Sequence, residues 1–251
     1  MHWTDDGIIL SARPHGESSV ILELLTAAHG RHLGMVRGGR SRTRRPTLQP
    51  GNLVRAEWRA RIDDHLGNYE VEGLTLRAAA LMESRASIFG LAWLSALARL
   101  LPERDPHPAV FETLGLVLDH LSEPDIGPAL VVRFELAMLA EMGFGLDLSS
   151  CAATGRLDDL IYVSPKSSRA VSAEAGAPYA ARLLPLPSFL IGSGGNVTAD
   201  TRDVLAGFAL TGHFLDRNIY EPRGVAVPDA RAAYVACVGM ETRSGQRATG
   251  D

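Results

Sequence analysis

Residues 53–62 (LVRAEWRARI) alternate almost without a break: Val54, Ala56, Trp58, Ala60 and Ile62 fall on one side, and Arg55, Glu57, Arg59 and Arg61 on the other. A period of two marks a strand with one wet face, because successive side chains point to opposite sides of a sheet. The pattern aims Trp58 inward and sets three arginines on a solvent-facing surface. Four further short apolar runs flank it, at 7–12 (GIILSA), 19–26 (SVILELLT), 33–36 and 69–76, separated by the turn formers Pro14 and Gly16, by His29-Gly30 and by DDHLGN at 63–68. Five short strands within residues 1–80 predict a small barrel.

Beyond residue 80 the texture changes. Ile88, Phe89, Leu91, Trp93, Leu94, Leu97, Leu100 and Leu101 are so dense that a helix over 82–101 must be mostly buried, with Pro102 ending it. Val110, Phe111, Leu114, Val117, Leu118 and Leu121 keep the spacing of one helix face between Pro108 and Pro124. A third helix is predicted over 128–142 with Gly143 as its left-handed cap. A fourth is capped by Asp200 or Thr201 and carries Val204, Leu205, Phe208, Leu215 and Ile219. The fold class is therefore α+β: a five-stranded barrel over 1–80, then a helical domain over 81–235. An irregular region at about 146–196 interrupts that domain, with a short hairpin at 160–163 and 170–172 and a glycine-rich loop at 192–196. The tail 241–251 (ETRSGQRATGD) lacks large apolar anchors and reads as disordered.

The chain is formally −4 at pH 7, yet Arg31, Arg37, Arg40, Arg42, Arg44, Arg45, Arg55, Arg59 and Arg61 fall in one stretch whose single acidic residue is Glu57. A basic block inside an acidic chain is the footprint of a polyanion, and nucleic acid is the foremost candidate. Gly38, Gly39 and Ser41 are interleaved with the arginines, so backbone can approach phosphates while guanidinium forks bind them. The competing reading is a solvated loop with scattered surface pairs, for which neighbouring carboxylates are scarce in the sequence. The loop composition implies flexibility and gives no ranking of its arginines; Arg55, Arg59 and Arg61 are better fixed by their strand. Trp3, Trp58 and Tyr69 are the candidate stacking residues, but Trp58 points inward and aromatics are 6% of the chain, which favours phosphate contacts with slight sequence preference.

Other chemistries are poorly supported. No phosphate-loop, nucleophile-elbow or zinc-protease motif occurs, so no enzymatic activity and no cofactor are expected. His29 and His32 straddle a turn without nearby carboxylates and read as ordinary histidines. Cys151 and Cys237, the only cysteines, are too few for a disulfide framework and fit a reducing compartment. No apolar run is long enough to span a membrane and the N-terminus is acidic, so a cytoplasmic location is expected. Arg133 stands in an otherwise apolar helix, LVVRFEL; it either pairs internally with Glu135 or Glu141, or offers its fork to a partner's carboxylate.

Three stretches carry a family resemblance: WTDDGIIL-x-x-RP-x-GESS from Trp3, HGR-x-x-G-x-VRGGRS from His29, and RP-x-LQPGN from Arg45. Together with RFEL at Arg133 and MGFG at Met142, they resemble the RecO family of bacterial recombination mediators, over nearly the whole chain to about Arg231. The resemblance implies an N-terminal OB-fold, a helical C-terminal domain and a nucleoid-associated, non-enzymatic role. It further implies binding and annealing of single- and double-stranded DNA, contact with the C-terminal tail of SSB (through Arg133) and with RecR, and help in loading RecA. Many family members hold zinc on two CxxC pairs. Here the first pair falls on Cys151 and Thr154 and the second on 172–175, which has no cysteine, so no zinc is expected. On the residues alone, an RNA-binding barrel and a structural adaptor stay open.

Overall fold

The computed structural model describes residues 1–62, 65–191 and 199–248, with side chains through Met240. The glycine run at 192–196 and residues 249–251 lie outside the described residues.

Five strands, β1 (His2–His15), β2 (Ser19–Thr26), β3 (Gly30–Val36), β4 (Leu53–Arg59) and β5 (Asn68–Thr75), close a barrel in the order β1-β2-β3-β5-β4. The β3–β5 pairing is parallel and the others antiparallel, giving the OB-fold. Strand β1 is far longer than its apolar run. Its first half pairs with β4, from His2 opposite Arg59 to Ile8 opposite Leu53, and its second half with β2, ending at His15 opposite Ser19. The polar residues at 2–6 hid the first half. Ile9, Leu22, Leu24, Val36, Val54, Ala56, Trp58 and Tyr69 fill the barrel. Trp58 points inward as its alternation demands, and its indole N–H donates to the Leu66 carbonyl at 3.0 Å. The alternation stops being structural after Arg59: Ile62, expected inside, is 52% exposed. Gly34 is required by packing, since a Cβ there would lie 2.4 Å from the Tyr69 ring.

Helices α1 (Ala78–Leu81), α2 (Arg85–Ala98) and α3 (Pro108–His120) follow. The expected helix over 82–101 instead breaks before Ser84, whose hydroxyl caps α2 by accepting from the Ser87 N–H. These helices pack with the barrel in one compact unit, Met1–Ser122. The expected division at residue 80 thus marks a change of secondary structure and not of packing unit.

The second unit, Glu123–Asp251, contains α4 (Gly127–Glu141), β6 (Leu160–Val163), β7 (Ala170–Ser172), α5 (Ala173–Gly176), β8 (Leu184–Pro185), α6 (Thr201–Leu215) and α7 (Asp229–Ala248). The strands form a small sheet in the order β7-β6-β8; the hairpin lies where the sequence put it, while the two-residue β8 carried no signal. Gly143 adopts φ +84° just after α4, and the Asp200 carboxylate caps α6 by accepting from the Asp203 N–H at 2.7 Å. Helix α7 corrects the tail: its backbone is helical through Ala248, because Tyr234, Cys237 and Val238 give its first half a buried face from which it propagates. Within this unit Glu135, fully buried on α4, accepts from Arg231 Nε and Nη2 at 2.9 and 3.0 Å and from the Thr211 hydroxyl, joining α4, α6 and α7.

Candidate nucleic-acid interface

The arginine-rich connection between β3 and β4 is pinned at its C-terminal end, contrary to the flexibility its composition implies. Leu48 is 3% exposed and plugs the barrel core. Asn52 is fully buried; its amide nitrogen donates to the carbonyls of Pro46 (2.8 Å) and Thr47 (3.0 Å), and its Oδ1 accepts from the Ala78 N–H (2.9 Å). The Arg40 N–H donates to Ser18 O at 3.0 Å, tying the same loop to the β1–β2 turn. An anchored loop backbone presents its arginines from fixed positions before any ligand arrives, so less backbone ordering entropy opposes binding.

The nine arginines then separate by what already holds them. Arg31 is half-buried and structural: it reaches Glu23 at 2.6 Å, Glu103 at 3.4 Å and the Leu101 carbonyl at 3.0 Å. Arg55 forks onto Asp6 through Nε and Nη2 at 2.9 and 3.2 Å, and Arg59 pairs with Glu57. Arg59 first, then His2, hold the Glu57 carboxyl below the usual carboxylate range. Arg44 contacts Glu70 at 3.3 Å. Arg40 Nη1 donates to the Gly16 and Glu17 carbonyls at 3.0 and 2.9 Å. Only Arg37, Arg42, Arg45 and Arg61 make no side-chain hydrogen bond or ion pair among the described residues, and the first three share the pinned, exposed loop. The sequence argument that partners are scarce is thereby corrected: Asp6, Glu23, Glu70 and Glu103 arrive from other strands and from the segment after α2. The site this leaves is smaller than the nine residues that the sequence groups together.

The remaining candidates sort as follows. Trp58 and Tyr69 are buried, and Trp3 already stacks with His29 (ring centroids 4.1 Å, 10° between planes) and with Trp58 (5.7 Å, 19°). His29 Nδ1 meets Asp5 at 3.1 Å and His32 Nδ1 meets the Tyr69 hydroxyl at 3.0 Å, so the two histidines serve separate partners. Arg133 donates through Nη2 to the Phe189 carbonyl at 2.7 Å, and the Glu135 carboxylate, two residues away in the sequence, belongs to Arg231.

At the vestigial metal position, Cys151 is buried and its Sγ accepts from the Ser172 N–H (3.3 Å) and hydroxyl (3.4 Å). Burial pushes the thiol up, but the Ser172 hydroxyl, Thr154, and the Ser172 and Ala153 amides together outweigh it and bring it to about 6. One thiol among neutral hydroxyls does not supply a zinc donor set, and no group of three or more His, Cys, Asp or Glu converges among the described residues. The two hydrogen bonds from Ser172 close this corner.

Comparison with known proteins divides the chain near residue 80, where strands give way to helices. Residues 1–77 match the family model described as Recombination protein O N terminal, and residues 83–225 match Recombination protein O C terminal. The chain belongs to the RecO family. Among its relatives, a protein named DNA repair protein RecO from Methylorubrum extorquens is 59% identical over 241 residues, covering 94% of this chain and 98% of the relative. Proteins of the same name from Chelativorans sp. and Bradyrhizobium sp. are each 57% identical over 249 residues, covering 99% of this chain and 100% and 99% of the relative, respectively. No helix among the described residues is long and apolar enough to cross a membrane. The sequence missed Asn52 and Leu48, which anchor the loop, and Glu23, which commits Arg31 elsewhere; an Asn six residues beyond a Pro carries no local sign of being a loop anchor.

Proposed function

We propose that this chain is a non-enzymatic DNA-repair mediator that holds single- and double-stranded DNA by its phosphates and leaves most bases free to pair. The observation that supports it best is the trio Arg37, Arg42 and Arg45: three exposed cations without carboxylate partners among the described residues, on a pinned loop of an OB barrel, in a family whose relatives bear the name of DNA repair proteins. Annealing then needs no bond chemistry, because two strands held by their backbones meet with their pairing edges exposed. The family resemblance adds partners. SSB offers the carboxylate end of its tail to Arg133, whose fork has one arm on Phe189 and the other donors uncommitted among the described residues. RecR joins at the N-terminal unit, and RecA loading follows on the exposed strand.

The test is annealing of complementary DNA oligomers followed by energy transfer, with and without SSB. Acceleration in both conditions upholds the mediator reading. Tighter binding to structured RNA than to single-stranded DNA turns the chain into an RNA-binding barrel, and no salt-sensitive binding to either leaves a protein adaptor.

A further inference from the structure

The arginine loop does not lie flat on the barrel. Between it and the second half of β1 is a cleft of ≈ 350 Å³, floored by Ala12, Pro14, Val20 and Leu48 and rimmed by Arg40 and Arg45. That volume is at the lower end of the roughly 300–1,000 Å³ found for small-ligand clefts. The floor is apolar and the rim cationic. Arg40 engages only its Nη1, with Gly16 and Glu17, so its Nε and Nη2 have no partner among the described residues; Arg45 engages none of its side-chain donors there. Loop closure keeps the cleft open: Leu48 and Asn52 fix one wall, and Gly39 sits where a Cβ would press on Leu48 and Val20 at 3.0 and 3.1 Å.

We infer that this cleft seats one unstacked base of a single DNA strand. The inference rests on the phosphate-binding reading above and gives it a preference between substrates. A base has an apolar face for the floor and a π face on which a guanidinium plane can stack. Its flanking phosphates then fall to Arg45 and to the neighbouring Arg42 and Arg37. A base paired within a duplex cannot enter without being flipped out, and flipping is unfavourable. The cleft therefore biases the protein toward single strands while the arginines bind both forms. The one amide in the lining, Gln49, donates its Nε2 to the Arg45 carbonyl at 2.8 Å, so its donor side is turned to the loop backbone and the bias is toward strandedness more than sequence.

The experiment crosses two proteins with two ligands. Wild type and Ala12→Phe, which fills the floor and leaves every arginine in place, are titrated with a short single-stranded oligomer and with the same backbone in which every base is replaced by an abasic sugar. Wild type is expected to bind the abasic strand about tenfold more weakly, the scale of one lost base-stacking contact. Ala12→Phe is expected to bind both strands at the abasic level, with the salt slopes of all four pairs alike. Should Phe unfold the barrel by thermal melting, Ala12→Leu is the smaller plug, and the abasic comparison on wild type stands without any variant. Equal wild-type affinity for the two strands, or a base preference that survives the plug, overturns the inference. Loss of salt dependence in wild type instead overturns the phosphate reading beneath it, a signature distinct from either.

Discussion

Glu23→Gln is a sharp probe of how the first unit is held together. The Glu23 carboxylate is 1% exposed on β2 and accepts from Arg31 Nη1 at 2.6 Å, from Arg99 Nε at 2.7 Å and from the Ser11 hydroxyl at 3.0 Å. It neutralises two cations, one on β3 and one just after α2, and so fastens the helices to the barrel. Replacing it with an isosteric amide keeps the volume and leaves Arg31 and Arg99 facing each other across a buried dipole. Removing one member of a fully buried pair costs about 3–5 kcal/mol; Arg99 is 38% exposed at its side chain, so solvent screening reduces this to about 2–3 kcal/mol. For a unit of this size that corresponds to a melting temperature lower by about 10 °C. The pH dependence carries a definite sign. Burial raises the Glu23 pKa, but Arg99, Arg31 and Ser11 outweigh it and hold the group below its ordinary value. A depressed carboxylate contributes stability above its unfolded pKa of about 4.3, and that stability is lost as pH falls through the lower folded value. Thermal melts of wild type and Glu23→Gln from neutral pH down to strong acid should therefore show a gap that is widest at neutrality and closes below about pH 4. A variant within about 0.5 kcal/mol of wild type at neutral pH, or a gap that persists into acid, would refute the clamp.

Three other outcomes follow from the same geometry. Asn52→Ala leaves the Ala78 N–H and two loop carbonyls without their buried partner; it should cost about 2 kcal/mol, speed hydrogen exchange in residues 44–48 and weaken DNA binding although no charge is removed. Arg231→Ala removes the two guanidinium donors from the fully buried Glu135 and should destabilise the second unit by about 3 kcal/mol by denaturant unfolding, whereas replacing both residues by Leu should recover most of the loss. Incubation with a strong chelator should leave the melting curve unchanged, because Cys151 takes two hydrogen bonds from Ser172 and a lone thiol falls short of a zinc donor set; a drop in melting temperature would overturn that expectation.

Much of the architecture was legible because it is written in local periodicity. The alternation around Trp58, the helical face of Val110 to Leu121, the Asp200 cap and the Gly143 stop all act within a few residues of themselves. What escaped was non-local or without a side-chain signature. The first half of β1 is polar because β4 shares its outer face, and no window of sequence reveals that pairing. Arg55 and Asp6 are neighbours only through the strand register, 49 residues apart in the chain, so the arginine's commitment to an ion pair was invisible. The candidate interface was thus legible as a region and not as a set of residues: the clustering picked out the loop, and only the cross-strand carboxylates divide its cations into those already held and those available. The anchoring of the loop was misread for the same reason, since glycine and serine suggest freedom while Leu48, Asn52 and the Arg40–Ser18 hydrogen bond restrict it.

We propose that Arg37, Arg42 and Arg45, and not the strand arginines, carry DNA phosphates. Anisotropy of a labelled single-stranded oligomer across a salt series, for wild type, for Arg37→Ala/Arg42→Ala/Arg45→Ala and for Arg55→Ala/Arg59→Ala, tests it directly. At roughly 0.7 counterions released per phosphate, the loop variant should lower the slope of log affinity against log salt by ~2, while the strand variant, whose arginines already face Asp6 and Glu57, should keep nearly the wild-type slope. A loop variant with the wild-type slope, or a strand variant that loses it, would contradict the account.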